Sequence, residues 1–166
     1  LAGVDSLPQF DTLLHLNVLH HAGHDFDKGL VASPDEITDY ALAYLSKLAP
    51  RAGRLVFQIG YNWGGDKAKP ILLNSDQTGM VMWLNDVFGR SGWIIETIAF
   101  ATRDHDRQIR YLPLSDEFTS SDKIDGVRLQ NEIDTFNLDQ FPGEFYRRPI
   151  VICRSAKGFS SNGSIA

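Results

Sequence analysis

The sequence is short of several things, and each shortage removes a class of protein. It has a single cysteine, Cys153, so neither an internal disulfide framework nor a cysteine-based zinc site can form. A reducing compartment is compatible with that, and the expected location is cytoplasmic. No apolar stretch approaches the roughly 20 residues that a membrane helix needs. Residues 1–5 (LAGVD) lack the charged and apolar regions of a signal peptide. There is no basic excess: 16 Lys and Arg stand against 21 Asp and Glu, a formal charge of −5. A general nucleic-acid footprint is therefore not expected. No internal repeat, phosphate-binding loop or Ser/His/Asp set is legible.

What is present is ordinary globular chemistry. Hydrophobic residues make up 43% and charged residues 22% of 166 positions, enough to build one core and too apolar for disorder. The chain opens on Leu rather than Met, and the expectation is a start inside a longer natural chain. Residues 158–166 are mostly Ser, Gly and Asn and read as a flexible tail.

Residues 10–19 (FDTLLHLNVL) form an apolar run without two-residue alternation. That pattern predicts a strand buried on both faces. A polar loop follows over 20–28. Ser33, Pro34 and Glu36 form a capping-box signature, and Ile37, Tyr40, Ala41, Tyr44, Leu45 and Leu48 keep helical spacing. Pro50 and Gly53 stop that helix, and 55–59 is a second strand, giving a βαβ unit. A loop over 60–75 carries Tyr61, Trp63, Gly64 and Gly65. A second helix is expected over 77–88, ended by Gly89 or Gly92, followed by a strand over 93–102. A polar turn at 103–107 leads to an extended piece at 109–112. Residues 113–147 are charged, with a weak helical pattern at Ile124, Val127 and Ile133, and exceed a usual connection. They read as an insertion acting as a lid, a partner surface or a mobile segment. Residues 149–154 (PIVICR) make the last strand.

In that order, these pieces resemble the C-terminal half of class I S-adenosylmethionine-dependent methyltransferases. The resemblance lies in FDTLLHLNVLHH (10–21), AYLSKLAPRAGRLVFQIG (43–60), FGRSGW (88–93) and FYRRPIVICRS (145–155). It covers roughly residues 10–112 and 145–155. It implies an α/β, Rossmann-like mixed sheet with flanking helices, its last strand antiparallel and slotted between the strands at 55–59 and 93–102. On this reading residues 1–157 are a partial methyltransferase-like domain. The family's glycine-rich loop and ribose-binding acidic residue are absent from this sequence. They are expected upstream in the native chain, the other options being a second chain or outright loss.

Ligands of open α/β sheets bind outside the carboxyl ends of the strands. The resemblance places Asn17 and Val18 beside S-adenosylmethionine, and His20 and His21 where a base would face the methyl acceptor. A histidine suits that task because its pKa lies near neutrality. Tyr61, Asn62 and Trp63 are candidates for lining the acceptor pocket. Arg147 and Arg148 could hold an anionic group, whereas His15 reads as a core histidine and Cys153 as a small buried hydrophobe. The expected activity is methyl transfer to a small molecule or biosynthetic intermediate. The expected partners are that acceptor and a second copy or an upstream half-domain, with no nucleic acid, membrane or metal. Two rivals come from other classes. One is a non-catalytic assembly domain of the same fold. The other is a metal-dependent hydrolase using His20, His21, His24, Asp25 and Asp27.

Overall fold

The helical spacing at 37–48 forms α1 (Ile37–Leu48), which buries Ile37, Tyr40, Ala41, Leu45 and Leu48. Its start differs from the expected capping box. The Ser33 side chain caps nothing, and Glu36 reaches back past it to accept the Ala32 N–H at 2.7 Å. Pro34 instead opens a 3₁₀ turn that leads into the helix. The second helix, α2 (Gln77–Arg90), is capped by Asp76, whose Oδ1 accepts the Gly79 N–H at 2.6 Å. Gly89 continues this helix, and Gly92, at φ 84°, ends it in the left-handed region that glycine adopts without strain.

The computed structural model describes residues 2–73, 76–119 and 123–157. Its strands are β1 (Phe10–Leu16), β2 (Ala52–Gln58), β3 (Trp93–Arg103), β4 (Ile109–Pro113) and β5 (Ile150–Ser155). They form one mixed sheet in the order β1-β2-β5-β3-β4. Strand β1 runs parallel to β2, with Leu14 beside Val56 and Leu16 beside Gln58. The final strand, β5, is antiparallel to both neighbours. Strands β1, β2 and β3 therefore point the same way and end at one edge of the sheet. A bulge between Ile95 and Thr97 shifts the register of β3 against β5.

The helices cover one face. Leu55, Phe57, Val151, Cys153, Ile98 and Phe100 point into a shared core, where Phe57 meets Phe88 of α2 edge-on at 5.2 Å. The Trp93 indole donates to the Leu45 carbonyl of α1 at 2.9 Å. The opposite face is far more open, and there Arg54 and Arg154 share Glu96 at 3.5 and 3.8 Å.

Two expectations need correction. Residues 10–16 are not buried on both faces: β1 is the edge strand, and Leu14 is 66% exposed, with Leu16 and Val18 also exposed. An apolar run reports a preference for burial, and at the edge of the sheet β1 has only β2 as a neighbouring strand among the described residues. The 113–147 stretch is no loose insertion. Its described part holds α3 (Gly126–Asp134), capped by Asp125, and sends Phe118, Leu129, Ile133, Phe136, Leu138 and Phe141 into the main core. Phe100 of β3 packs on Phe136 at 5.7 Å. The tail expected at 158–166 lies outside the described residues. Among the described residues no helix is long and apolar enough to cross a membrane.

Candidate functional site

The carboxyl ends of β1 and β2 meet a third element, the segment that leads into β5. Each contributes a polar side chain whose partners the others supply. Asn17, just past β1, takes a left-handed backbone (φ 57°), which asparagine tolerates better than most residues. Its Nδ2 donates to Gln58 Oε1 at 2.7 Å, and its Oδ1 accepts from Arg148 Nη1 at 2.8 Å. Gln58 Nε2 in turn donates to the Arg148 carbonyl at 3.1 Å. Arg148 Nη2 lies 3.2 Å from Glu144, whose other oxygen accepts from Asn62 Nδ2 at 2.8 Å. The set runs unbroken from Asn17 to Asn62. Burial drives the arrangement: Gln58 is 2% exposed and must find partners for its amide. Arg148 Nε is buried too and has no hydrogen-bond partner among the described residues.

Beside this network lies an open cleft of about 640 Å³, bounded by Asn62, Gly65 and Lys67 on one side and by 142–148 on the other. A larger cleft of about 860 Å³ lies at the opposite end of the sheet, between α2 and the start of β3. It is not at the carboxyl ends of the parallel strands, where ligands of such sheets bind.

The adjacent histidines after β1 part ways. His20 is 2% exposed, and its Nδ1 accepts the Gly60 N–H at 3.1 Å, which puts the ring proton on Nε2. The ring sits where a Gly60 Cβ would be, at 2.6 Å. Burial, reinforced by His21 and Arg148, pushes its pKa down to about 3. A ring so enclosed, with its acceptor nitrogen occupied, lacks the geometry of a general base. Its role here is to hold the loops after β1 and β2 together. His21 is about one-third exposed, and its Nδ1 lies 2.7 Å from Asp25 Oδ2. His24 Nδ1 lies 2.8 Å from the other oxygen of the same carboxylate. These contacts hold the Asp25 carboxyl below the usual range, the bond from His24 foremost. Asp25 is thus hydrogen-bonded to His24, while His21 Nδ1 lies close to the carboxylate without hydrogen-bond geometry; of the predicted pair, His21 is the one whose ring is partly exposed.

Of the predicted acceptor residues, only Asn62 lines the cleft. Tyr61 is buried, and its hydroxyl donates to the Arg147 carbonyl at 2.9 Å. Burial raises the pKa of that hydroxyl. Trp63 donates its indole N–H to the Ala22 carbonyl at 2.7 Å and so ties the two strand-end loops together. Val18 is exposed. His15 is buried and stacked on Phe57 at 5.6 Å, with burial lowering its pKa, so it is a core histidine, but its Nδ1 has no hydrogen-bond partner among the described residues. Gln58 and Glu144 were not singled out from sequence. The available signal for Gln58 was an amide closing the apolar run RLVFQ. Glu144 offered none, because its partners lie 82 positions away at Asn62 and four away at Arg148.

Asp27, read with the histidines as a possible ligand set, accepts from the Tyr40 hydroxyl at 2.7 Å. Among the described residues no three His, Cys, Asp or Glu side chains converge as a metal site would require. No protein-family model, curated protein or solved structure matches the chain.

Proposed function

We propose that this chain is the C-terminal part of a Rossmann-like, class I methyltransferase sheet that transfers a methyl group from S-adenosylmethionine to a small-molecule acceptor. One observation carries the reading: two parallel strands, β1 and β2, are followed in the sheet by the last strand, antiparallel, and then by β3. That is the order the sequence resemblance implies, and it is an unusual one, because a late antiparallel strand must insert between two earlier ones.

The described residues fit one flank of such a cofactor. Val18 offers an exposed apolar surface at the end of β1, and the Asn17 side chain is fixed beside it by Gln58 and Arg148. The remaining contacts belong to strands expected beside the free edge of β1. When bound, the sulfonium supplies an electrophilic methyl group. The chain's own share is positioning. The Asn17–Gln58–Arg148 network fixes the strand-end loops, the Asn62–Lys67 cleft receives the acceptor, and His21, partly exposed beside Asp25, is the candidate base for the acceptor's proton.

Calorimetric titration of S-adenosylmethionine and S-adenosylhomocysteine tests this. The 166-residue chain is compared with a chain extended upstream on its own gene. Binding by the extended chain supports the reading. Silence from both sinks it and leaves the second one, a non-catalytic assembly domain. That alternative is favoured by the exposed Leu14, Leu16 and Val18 along β1.

A further inference from the structure

We propose that the cleft between the 62–67 turn and the 142–148 segment binds a small planar ring that carries an anionic group. The inference rests on that cleft being where the acceptor of the proposed transfer sits, and it names the acceptor's class.

The charges are unequal. Lys67, Arg147 and Arg148 line the cleft against one carboxylate, Glu144, in a chain whose net charge is −5. Glu144 is already committed to Arg148 and Asn62. Arg147 is held in place by two bonds from its guanidinium to the Phe141 carbonyl, at 3.0 and 2.8 Å. Its one carboxylate contact among the described residues is Asp139, 3.2 Å away and 94% exposed, an ion pair that solvent weakens and a ligand can replace. Lys67 is exposed and pairs with no carboxylate among the described residues, since the nearby Asp66 is taken by Lys69 at 3.7 Å. Two cations are therefore left with weak or no internal neutralisation on one cleft.

The ring requirement comes from Phe145. It lines the cleft and is half exposed, and the edge of the neighbouring Tyr146 holds it at 5.2 Å and 89°. An aromatic face fixed in this way offers offset stacking to a planar ligand. Room for one exists: a Cβ added at Gly65 or Gly143 would meet nothing within 4 Å. A ring on Phe145 would bring its anionic substituent to Lys67 and Arg147, where charge-assisted hydrogen bonds are the strong ones.

The probe is 4-hydroxybenzoate, with the neutral 4-hydroxybenzamide as its control, titrated into the 166-residue chain and followed by ¹H–¹⁵N NMR. The acid should move the amide signals of Asn62, Gly65, Gly143 and Phe145, and its binding should weaken steeply by about 1 M salt. The substitution Lys67→Gln should weaken the acid about three- to fivefold and leave the amide unchanged. Phe145→Ala should weaken both ligands by about the same factor, roughly three- to tenfold. Equal binding of acid and amide, shifts centred elsewhere, or no binding would each overturn the inference. No cofactor enters this titration, so the two readings fail separately. If the acid binds the cleft while no chain binds S-adenosylmethionine, the ligand class stands and methyl transfer falls.

Discussion

The two faces of the sheet were built from similar residues and met different fates. On the helix side, Phe57 and Val151 are fully buried; on the other, their chain neighbours Val56 and Ile152 are only partly covered, and Leu14 is largely exposed. Apolar content therefore does not distinguish the faces. What distinguishes them is that both crossover helices come back over the same side, as successive crossovers of one hand must when the chain keeps moving across the sheet in one direction. One face acquires a core. The other keeps its apolar centre partly exposed.

The largest test of this contrast is Phe57→Ala against Val56→Ala. Loss of the buried ring should cost about 3–5 kcal/mol, and the neighbouring truncation about 1 kcal/mol, by urea denaturation. Equal losses would show the open face to be as well packed as the closed one. Next comes the polar edge that joins the faces. Arg148→Ala strips partners from Asn17 and Glu144 and should destabilise by about 2–3 kcal/mol. Combining it with Asn17→Ala should add little, because both break one network. Gly60→Ala drives a methyl group into the His20 ring and should cost about 2 kcal/mol. That penalty should shrink in a His20→Ala background, and a penalty unchanged there would mean the backbone, not the ring, is the obstacle.

The buried ring also sets a pH dependence. Folded His20 has a pKa of about 3 against an ordinary 6.5, so between those values the unfolded chain binds a proton that the folded chain does not. The stability it contributes is complete above about pH 6.5 and is lost as pH falls, by at most about 1.4 kcal/mol per unit. Melting curves from pH 7 to pH 4.5 should be flatter for His20→Asn, which keeps an acceptor for the Gly60 N–H. Identical slopes would place the acid sensitivity elsewhere, first at His15, whose pKa burial also lowers from 6.5. The smallest effect belongs to Leu14→Ser on the open face, within about 0.5 kcal/mol in the 166-residue chain. In a longer chain whose added strands cover β1, the same change should cost several times more.

Local rules carried the sequence reading well where the chain talks to itself. The spacing of Ile37, Tyr40, Ala41, Leu45 and Leu48 gave α1, and Gly92 marked the end of α2. The reading failed where burial depends on a distant partner. Residues 10–16 look like a central strand, yet an edge strand shares the same composition when its neighbour is elsewhere. Residues 113–147 hid their core-facing set, Phe118 to Phe141, because short 3₁₀ turns break the helical period. At the site, Asn17 and Asn62 were visible as strand-end residues. Their fixing by Gln58, Glu144 and Arg148 was not, since those bonds span 41 to 131 positions. His20 and His21 are indistinguishable in sequence, and only Gly60, with no side chain to fend off a ring, decides which one is enclosed.

The place of β5 has a consequence in time. Strands β2 and β3 are not paired with each other; the strand between them, β5, follows the other four described strands in the sequence. Until residues 150–155 arrive, the chain holds a two-strand piece, β1 with β2, and a separate hairpin, β3 with β4. Closing the gap requires β5 to pair with β2 across about 100 positions, as Arg54 does with Arg154, the kind of non-local contact that slows folding. Arg148, directly before that strand, can reach Asn17 only when it docks. The site is therefore completed by the same event that completes the fold, and a nascent chain cannot display it early.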